Sequence, residues 1–225
     1  MTFGNLTVSE FVQAVAEGSP TPGGGSVSPL IASLSSALIS MVGSLTASRL
    51  EAGVSRKCDE TDRDTYCEDI IRKQLILDAV SVANRLQARF LVLADEDSAA
   101  YDRVIAAYRL PRGTEDEKQA RSCAIQDALK DACRVPAEVV KLALEVLHLT
   151  EIMAEHGMKS ALSDVAVACL AAWAGMRGAY FNVRINLPSI KDKAFVKETE
   201  DDVADFMSSG KAIFERVMAQ IEQSL

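Results

Sequence analysis

Apolar residues recur at steps of three and four along most of this chain, the spacing of one face of an α-helix. Val8, Phe11, Val12 and Val15 line one face behind Thr7-Val-Ser-Glu10, a capping-box pattern that starts a helix. Gly18 to Gly25 reads as a loop, and a long helix is predicted from about Val27 to Leu50. Ile71, Leu75, Ala79, Val82, Leu86, Phe90 and Leu93 place a helix from about Asp59 to Tyr108, with a break expected near Ala94–Asp97 and an end at Leu110-Pro-Arg-Gly113. Thr114-Glu-Asp-Glu117 is a second capping box. It opens a helix to about His156, in which Val135, Val139, Leu142, Val146, Leu149 and Met153 repeat. Pro136 should kink that helix, because proline removes a backbone donor and clashes with the preceding turn. Gly157 closes it. Another helix is predicted from about Ser160 to Val183, and Asn186-Leu-Pro188 interrupts the chain. A last helix, from about Glu200 to Gln223, carries Val203, Phe206, Ile213, Phe214, Val217 and Ile221 on one face.

Near-3.5 repeats on successive helices joined by short turns predict an all-α, antiparallel up-and-down bundle of about six to seven helices. With 225 residues and no internal repeat, one domain spanning 1–225 is the economical reading. A core of that size buries roughly 70% of the unfolded surface, so no staple is needed. The Ala/Gly/Ser faces of helices 27–50 and 160–183 suit the core or a subunit interface equally well. Gly18 to Ser48 carries no charge, but Pro20, Pro22, three glycines and alternating hydroxyls interrupt it. A buried helix behind a loop fits better than a lipid-facing span, and no membrane partner is expected.

The net charge of −8 argues against a general nucleic-acid binder, which carries a basic face. An anionic small ligand would have to be met by local basic groups. Cys58, Cys67, Cys123, Cys133 and Cys169 are odd in number and form no CxxC, which suits a reduced intracellular chain. The last four fall in helical patterns and read as core or boundary residues. His148 and His156 are the only histidines, no set has zinc-ligand spacing, and no metal site is expected. MTFGNLTVSEF lacks the basic and apolar regions of a signal peptide, so a cytoplasmic location is expected.

Four stretches carry candidate chemistry. Pro20-Thr-Pro-Gly-Gly-Gly-Ser26 stands before a helix, where glycines let backbone approach a ligand and free amides favour an anion or polar edge. The plainer reading is a turn, and the Lys-Ser/Thr of a P-loop is absent. Asp95-Glu-Asp97 lies among apolar residues, where a carboxylate can become a general acid or base; a solvated face is the alternative. Ser163-Asp164 opens a small-residue helix, as either a cap or a functional acid. Asn182-Val-Arg184-Ile-Asn186-Leu-Pro-Ser-Ile-Lys191-Asp mixes donors with apolar anchors, although Arg184 also complements a helix dipole.

Together these residues resemble the cyclodeaminase/cyclohydrolase family of folate enzymes. The resemblance covers nearly the whole chain and is carried by PTPGGGSV (20–27), ADEDSAAYDRV (94–104), AIQDALKDACRVP (124–136), ALSDVAVACL (161–170) and GAYFNVRINLPSIKD (178–192), in the family's order. It implies a homodimeric helical bundle that binds a tetrahydrofolate derivative, with or without a polyglutamate tail, in a cleft near the subunit interface. No cofactor beyond that substrate is implied. Asp97 and Asp164 are the implied proton-handling acids, with Lys57 as a third participant. Pro22, Gly23, Gly24, Gly25 and Ser26 would line the substrate, and Arg56, Arg184, Asn186 and Lys191 would contact it. One departure is Gly157-Met158-Lys159, where the family often has an Asn-containing turn. The leading expectation is a methenyltetrahydrofolate cyclohydrolase. The alternatives are a formiminotetrahydrofolate cyclodeaminase and a non-catalytic helical bundle that binds a ligand or partner.

Overall fold

The computed structural model describes residues 2–54 and 63–225. It contains helices α1 Val8–Ala16, α2 Gly24–Val54, α3 Arg63–Tyr108, α4 Glu115–His156, α5 Leu162–Asn186 and α6 Lys193–Ser224. Short 3-10 turns lie at Phe3–Asn5, Lys159–Ala161 and Leu187–Ser189, and no strand occurs among the described residues. Helices α2 and α4 each pack against both α3 and α5, which closes a four-helix ring, and α6 lies over α4 and α5.

Cross-helix contacts set the direction of each pair. Ser26 meets Asp97 while Ser33 meets Gln87, so α2 and α3 are antiparallel. Arg89 meets Glu138 while Arg72 reaches the carbonyl of His156, so α3 and α4 are too. Gly178 lies on Ser28 while Ser35 bonds Ala168, so α5 runs antiparallel to α2. The ring therefore has two ends. One holds the start of α2 and the finish of α5. The other holds the finish of α2 and α4 and the start of α5.

Both capping boxes form, with Thr7 and Thr114 accepting from Glu10 and Glu117 backbone N–H groups. Several expectations are corrected. Helix α3 runs unbroken through Ala94–Asp97, because Ala94 is buried while each of the three half-buried acids finds a hydrogen-bond partner. Helix α4 carries the buried Pro136 inside it without ending there, and the kink expected at that residue stays an expectation, uncorrected. Helix α2 starts at Gly24, so Gly24 and Gly25 belong to its first turn and not to a loop. Helix α6 starts seven residues earlier than read, at Lys193, because Asp192 caps it by accepting from the Ala194 and Phe195 N–H groups. The cap of α5 is Ala161, without a side-chain bond, so Ser163 and Asp164 lie inside the helix instead of capping it.

The core centres on Ile39, Ile76, Phe90, Leu93, Leu147, Met153, Met176 and Val217. Small residues bring helices close. A Cβ at Gly43 would strike Val80 of α3, and one at Gly175 would strike the Ser28 carbonyl of α2. The α2 hydroxyls are satisfied internally, as Ser36 to the Ala32 carbonyl, or across the ring, as Ser33 to Gln87 and Ser35 to Ala168. That helix is long and apolar enough to cross a membrane, yet half of its most apolar window is buried in the bundle. Ile71 and Leu75 are exposed, because near its start α3 turns Ile76 and Ala79 inward instead. Val8, Val12 and Val15 on the apolar face of α1 are also exposed, with Val8 82% accessible, while Phe11 packs edge-on against Phe3. Cys133 and Cys169 are buried, and burial pushes both thiols up to about 11. Cys67 and Cys123 are exposed, contrary to their boundary reading.

Candidate active site at the glycine end of the bundle

Three helices converge where α2 begins. Ser26 is fully buried, and its hydroxyl donates to Asp97 Oδ2 at 3.0 Å. A Cβ at Gly25 would overlap the Asp97 carboxylate, so only glycine lets α3 lay that acid on the first turn of α2. The leading N–H groups of a helix have no partner within it and favour negative charge nearby. Burial pushes the Asp97 carboxyl above its usual range, and the Ser26 hydrogen bond opposes part of that rise. The sign for stability follows. A carboxyl that holds its proton more tightly when folded stabilises the fold below its unfolded value, and that contribution is lost as pH rises through the folded value. Such a group is retained at a cost above that window, which is the usual signature of a functional acid.

The three acids of 95–97 point to three partners. Asp95 accepts from the Phe3 N–H at 2.8 Å and anchors the N-terminal turn. Glu96 takes Arg89 in a two-pronged pair at 2.8 and 3.0 Å, and the same guanidinium holds Glu138 at 2.7 and 2.8 Å. Glu138 and then Glu96 hold the Arg89 proton well above its usual range. Asp97 alone faces the glycine turn. The contacts of Asp95 and Glu96 thus fix the rotation of α3 about its axis, and so the aim of Asp97.

Helix α5 supplies the third wall. A Cβ at Gly178 would strike Ser28, whose hydroxyl donates to the Gly24 carbonyl at 2.7 Å. One turn on, the Asn182 side chain lies 3.7 Å from where a Gly24 Cβ would stand. Arg184 follows, exposed, donating to the Tyr180 hydroxyl at 2.9 Å. Asn186 donates to the Ala132 carbonyl at 2.9 Å and ties α5 to α4, while the Lys191 N–H donates to Gln126. An open groove of about 490 Å³ runs beside the turn between Ser19–Thr21 and Tyr101, Asp102 and Arg109.

The structure thus brings together Pro22, Gly23, Gly24, Gly25, Ser26 and Asp97, with Arg184, Asn186 and Lys191 at the same end. It separates Asp164. That residue lies eighteen positions before Asn182 on one helix, about 27 Å at 1.5 Å per residue. Asp97 and Asp164 therefore do not meet within one protomer. Arg56 and Lys57 lie outside the described residues. The far end holds a larger cavity of about 980 Å³, lined by Arg49, Asp69, Arg72, His156, Lys159 and others, with Met158 in its wall. Arg72 there donates to the His156 carbonyl at 2.6 and 2.8 Å, closing the end of α4. Among the described residues no three metal-ligating side chains cluster.

Sequence reasoning named Asn182 at the head of a candidate stretch without giving it a contact, and it did not single out Arg89. The i, i+4 spacing of Gly178 and Asn182 was the available signal for Asn182, since it puts both on one face of α5. Nothing in one sequence couples Arg89 to Glu138, which belong to different helices.

The chain is thus an all-helical bundle, a four-helix ring with a carboxylate laid on a glycine-rich helix start at one end. Comparison narrows the class. The profile of the formiminotransferase-cyclodeaminase family matches residues 7–205. A methenyltetrahydrofolate cyclohydrolase of Methylorubrum extorquens is 34% identical over 222 residues, which cover 99% of each chain. The formimidoyltransferase-cyclodeaminase of Rattus norvegicus is 32% identical over 97% of this chain, which spans 37% of that relative. The crystal structure of a formiminotetrahydrofolate cyclodeaminase from Thermotoga maritima superposes with a TM-score of 0.73 at 27% identity, covering 98% of both chains. The chain belongs to the formiminotransferase-cyclodeaminase family.

Proposed function

We propose that this protein is a folate one-carbon enzyme, a methenyltetrahydrofolate cyclohydrolase, with Asp97 as its proton-transfer group. The observation that carries the reading is end-to-end similarity to the Methylorubrum enzyme, 99% of either chain, combined with the placement of Asp97 on the glycine turn. In the reaction water adds to the cationic carbon that bridges N5 and N10. A C–O bond forms, the C–N5 bond breaks, and 10-formyltetrahydrofolate and a proton result. The Asp97 carboxylate accepts the proton of the attacking water and returns it to N5 as that nitrogen leaves. Its negative charge also stabilises the bridging cation before attack. The raised proton affinity of a half-buried carboxyl suits the proton transfer.

A second reading, the cyclodeaminase, is favoured by the likeness to the Thermotoga structure. There N10 attacks an N5-formimino carbon and ammonia leaves. The same acid would serve, taking a proton from N10 and giving one to the leaving nitrogen. Absorbance assays of methenyltetrahydrofolate and formiminotetrahydrofolate, run side by side, decide between them. Turnover of neither overturns the folate reading.

The working unit we propose is a homodimer in the cytoplasm. Ser163, Val167, Leu170, Ala174, Arg177, Phe181 and Ile185 form an exposed stripe along α5, and Leu34, Met41 and Leu45 form another on α2. The Arg177 guanidinium sits over Trp173, Tyr180 and Phe181, the residue types that dominate protein interfaces. Two copies pairing these faces about a two-fold axis run α5 against α5. Asp164 of one copy then approaches the glycine end of the other. Arg184 and Lys191 would meet the glutamate carboxylates of the folate tail, one or several. A monomer by sedimentation at micromolar concentration would overturn the dimer.

A further inference from the structure

Gly24 and Gly25 are neighbours on one turn, yet each faces a different polar group. Gly25 faces the Asp97 carboxylate from α3, and Gly24 faces the Asn182 amide from α5. The Asn182 amide has a fixed orientation. Its Nδ2 donates to the Gly178 carbonyl at 2.8 Å, which a carbonyl oxygen cannot do, so Oδ1 and the remaining N–H turn away from the helix axis. The hydrogen-only surface of Gly24 lies beside them, with Nδ2 at 3.7 Å and Oδ1 at 4.0 Å from where a Cβ would stand. Asn182 is itself half-buried. Gly178 keeps α5 pressed on Ser28, so the amide is held by packing at its base and by a hydrogen bond at its nitrogen.

On the reading proposed above, we infer that Asn182 is a substrate-contact residue that recognises the polar edge of the reduced pterin, beside the Asp97 that handles protons. A primary amide presents an acceptor next to a donor, and the pterin lactam presents an N–H next to a carbonyl. The two patterns are complementary. The contact belongs to the ring and not to the glutamate tail, since Asn182 carries no charge and lies inward of Arg184. It places the one-carbon bridge toward Asp97, so Asn182 sets position and ring identity while Asp97 moves the proton.

The test compares wild type with Asn182→Ala and Ser28→Ala, measuring affinity for monoglutamyl and polyglutamyl tetrahydrofolate, kcat, KM and melting temperature. Losing a hydrogen bond to a buried polar edge weakens binding by about tenfold or more. Asn182→Ala should raise the folate Kd and KM by that factor, equally for both tail lengths, with little change in melting. Ser28→Ala disturbs the same α2–α5 seam without facing the ring, and should leave Kd near wild type. Unchanged Kd in Asn182→Ala overturns the inference and leaves the folate reading intact. So does a loss shared equally by Ser28→Ala, which marks a packing role alone. Wild-type protein that binds no tetrahydrofolate overturns both.

Discussion

The two ends of this bundle carry different kinds of polarity. At the far end a cavity twice the size of the groove beside the glycine turn is ringed by charged and polar groups, and Arg72 is spent on closing the end of α4. At the glycine end the space is smaller, but one carboxylate is half-buried, held by a buried hydroxyl and pressed on a helix start. Volume therefore does not mark the chemistry. Confinement of a titratable group does, because a carboxyl with water on all sides keeps its ordinary proton affinity. The far end contributes only if a second copy carries its Asp164 across to the partner.

The largest effect should come from Asp97→Asn. General acid–base groups contribute roughly 10²–10⁴-fold in rate, and kcat for methenyltetrahydrofolate should fall by about that factor. The melting temperature at neutral pH should hold or rise, because the costly charge is gone. A lower melting temperature with normal kcat would move the chemistry elsewhere. Gly25→Ala should also impair turnover severely, by about tenfold or more, since a single methyl displaces the Asp97 carboxylate and a small misplacement of reacting groups is costly. Gly24→Val should be milder, because that position has ordinary contact distances to Asn182 and no overlap. Equal effects at the two glycines would contradict the assigned division of the turn.

Asp164→Asn sharpens the comparison of the ends. It should lower kcat by less than Asp97→Asn does. If the site is shared, mixing the two variants should restore roughly a quarter of the wild-type rate, since half the dimers are mixed and each carries one intact site. No recovery on mixing would confine Asp164 to its own protomer, as a first-turn acid on α5. The smallest effect concerns the tail. Arg184 and Lys191 are exposed, so polyglutamyl affinity should weaken as salt rises past the Debye regime. An affinity flat with salt would remove them from the tail site.

Much of this was legible in the chain. Thr7 and Thr114 announced their helices because a capping box is local, four residues deep. The helix faces at Val139–Met153 and Val203–Ile221 followed from spacing alone, because burial on one side of a helix imposes its period. Asp97 and the glycine turn were both visible, although 71 positions separate the bonded Ser26 from Asp97. What sequence reasoning missed depends on other helices. The acids at 95–97 looked like a helix break, and only the partners Phe3, Arg89 and Ser26 show why they are tolerated. Asp164 looked like a partner for Asp97 because chemistry pairs carboxylates, whereas the antiparallel course of α5 sets it at the opposite end. Asn182 stood in a candidate stretch without an assigned contact because its neighbour is Gly24 of α2, and spacing within one helix cannot report that.

The central claim is that Asp97 on the glycine turn moves the proton during folate turnover. Its most direct test is the pH dependence of kcat for wild type and Asp97→Asn, followed by the loss of methenyltetrahydrofolate absorbance. The base form acts, so the wild-type rate should fall as pH drops, along a limb displaced above the ordinary aspartate range by burial. In Asp97→Asn that limb should vanish and the residual rate should be flat across the same window. A variant that keeps both the limb and the wild-type rate would contradict the account.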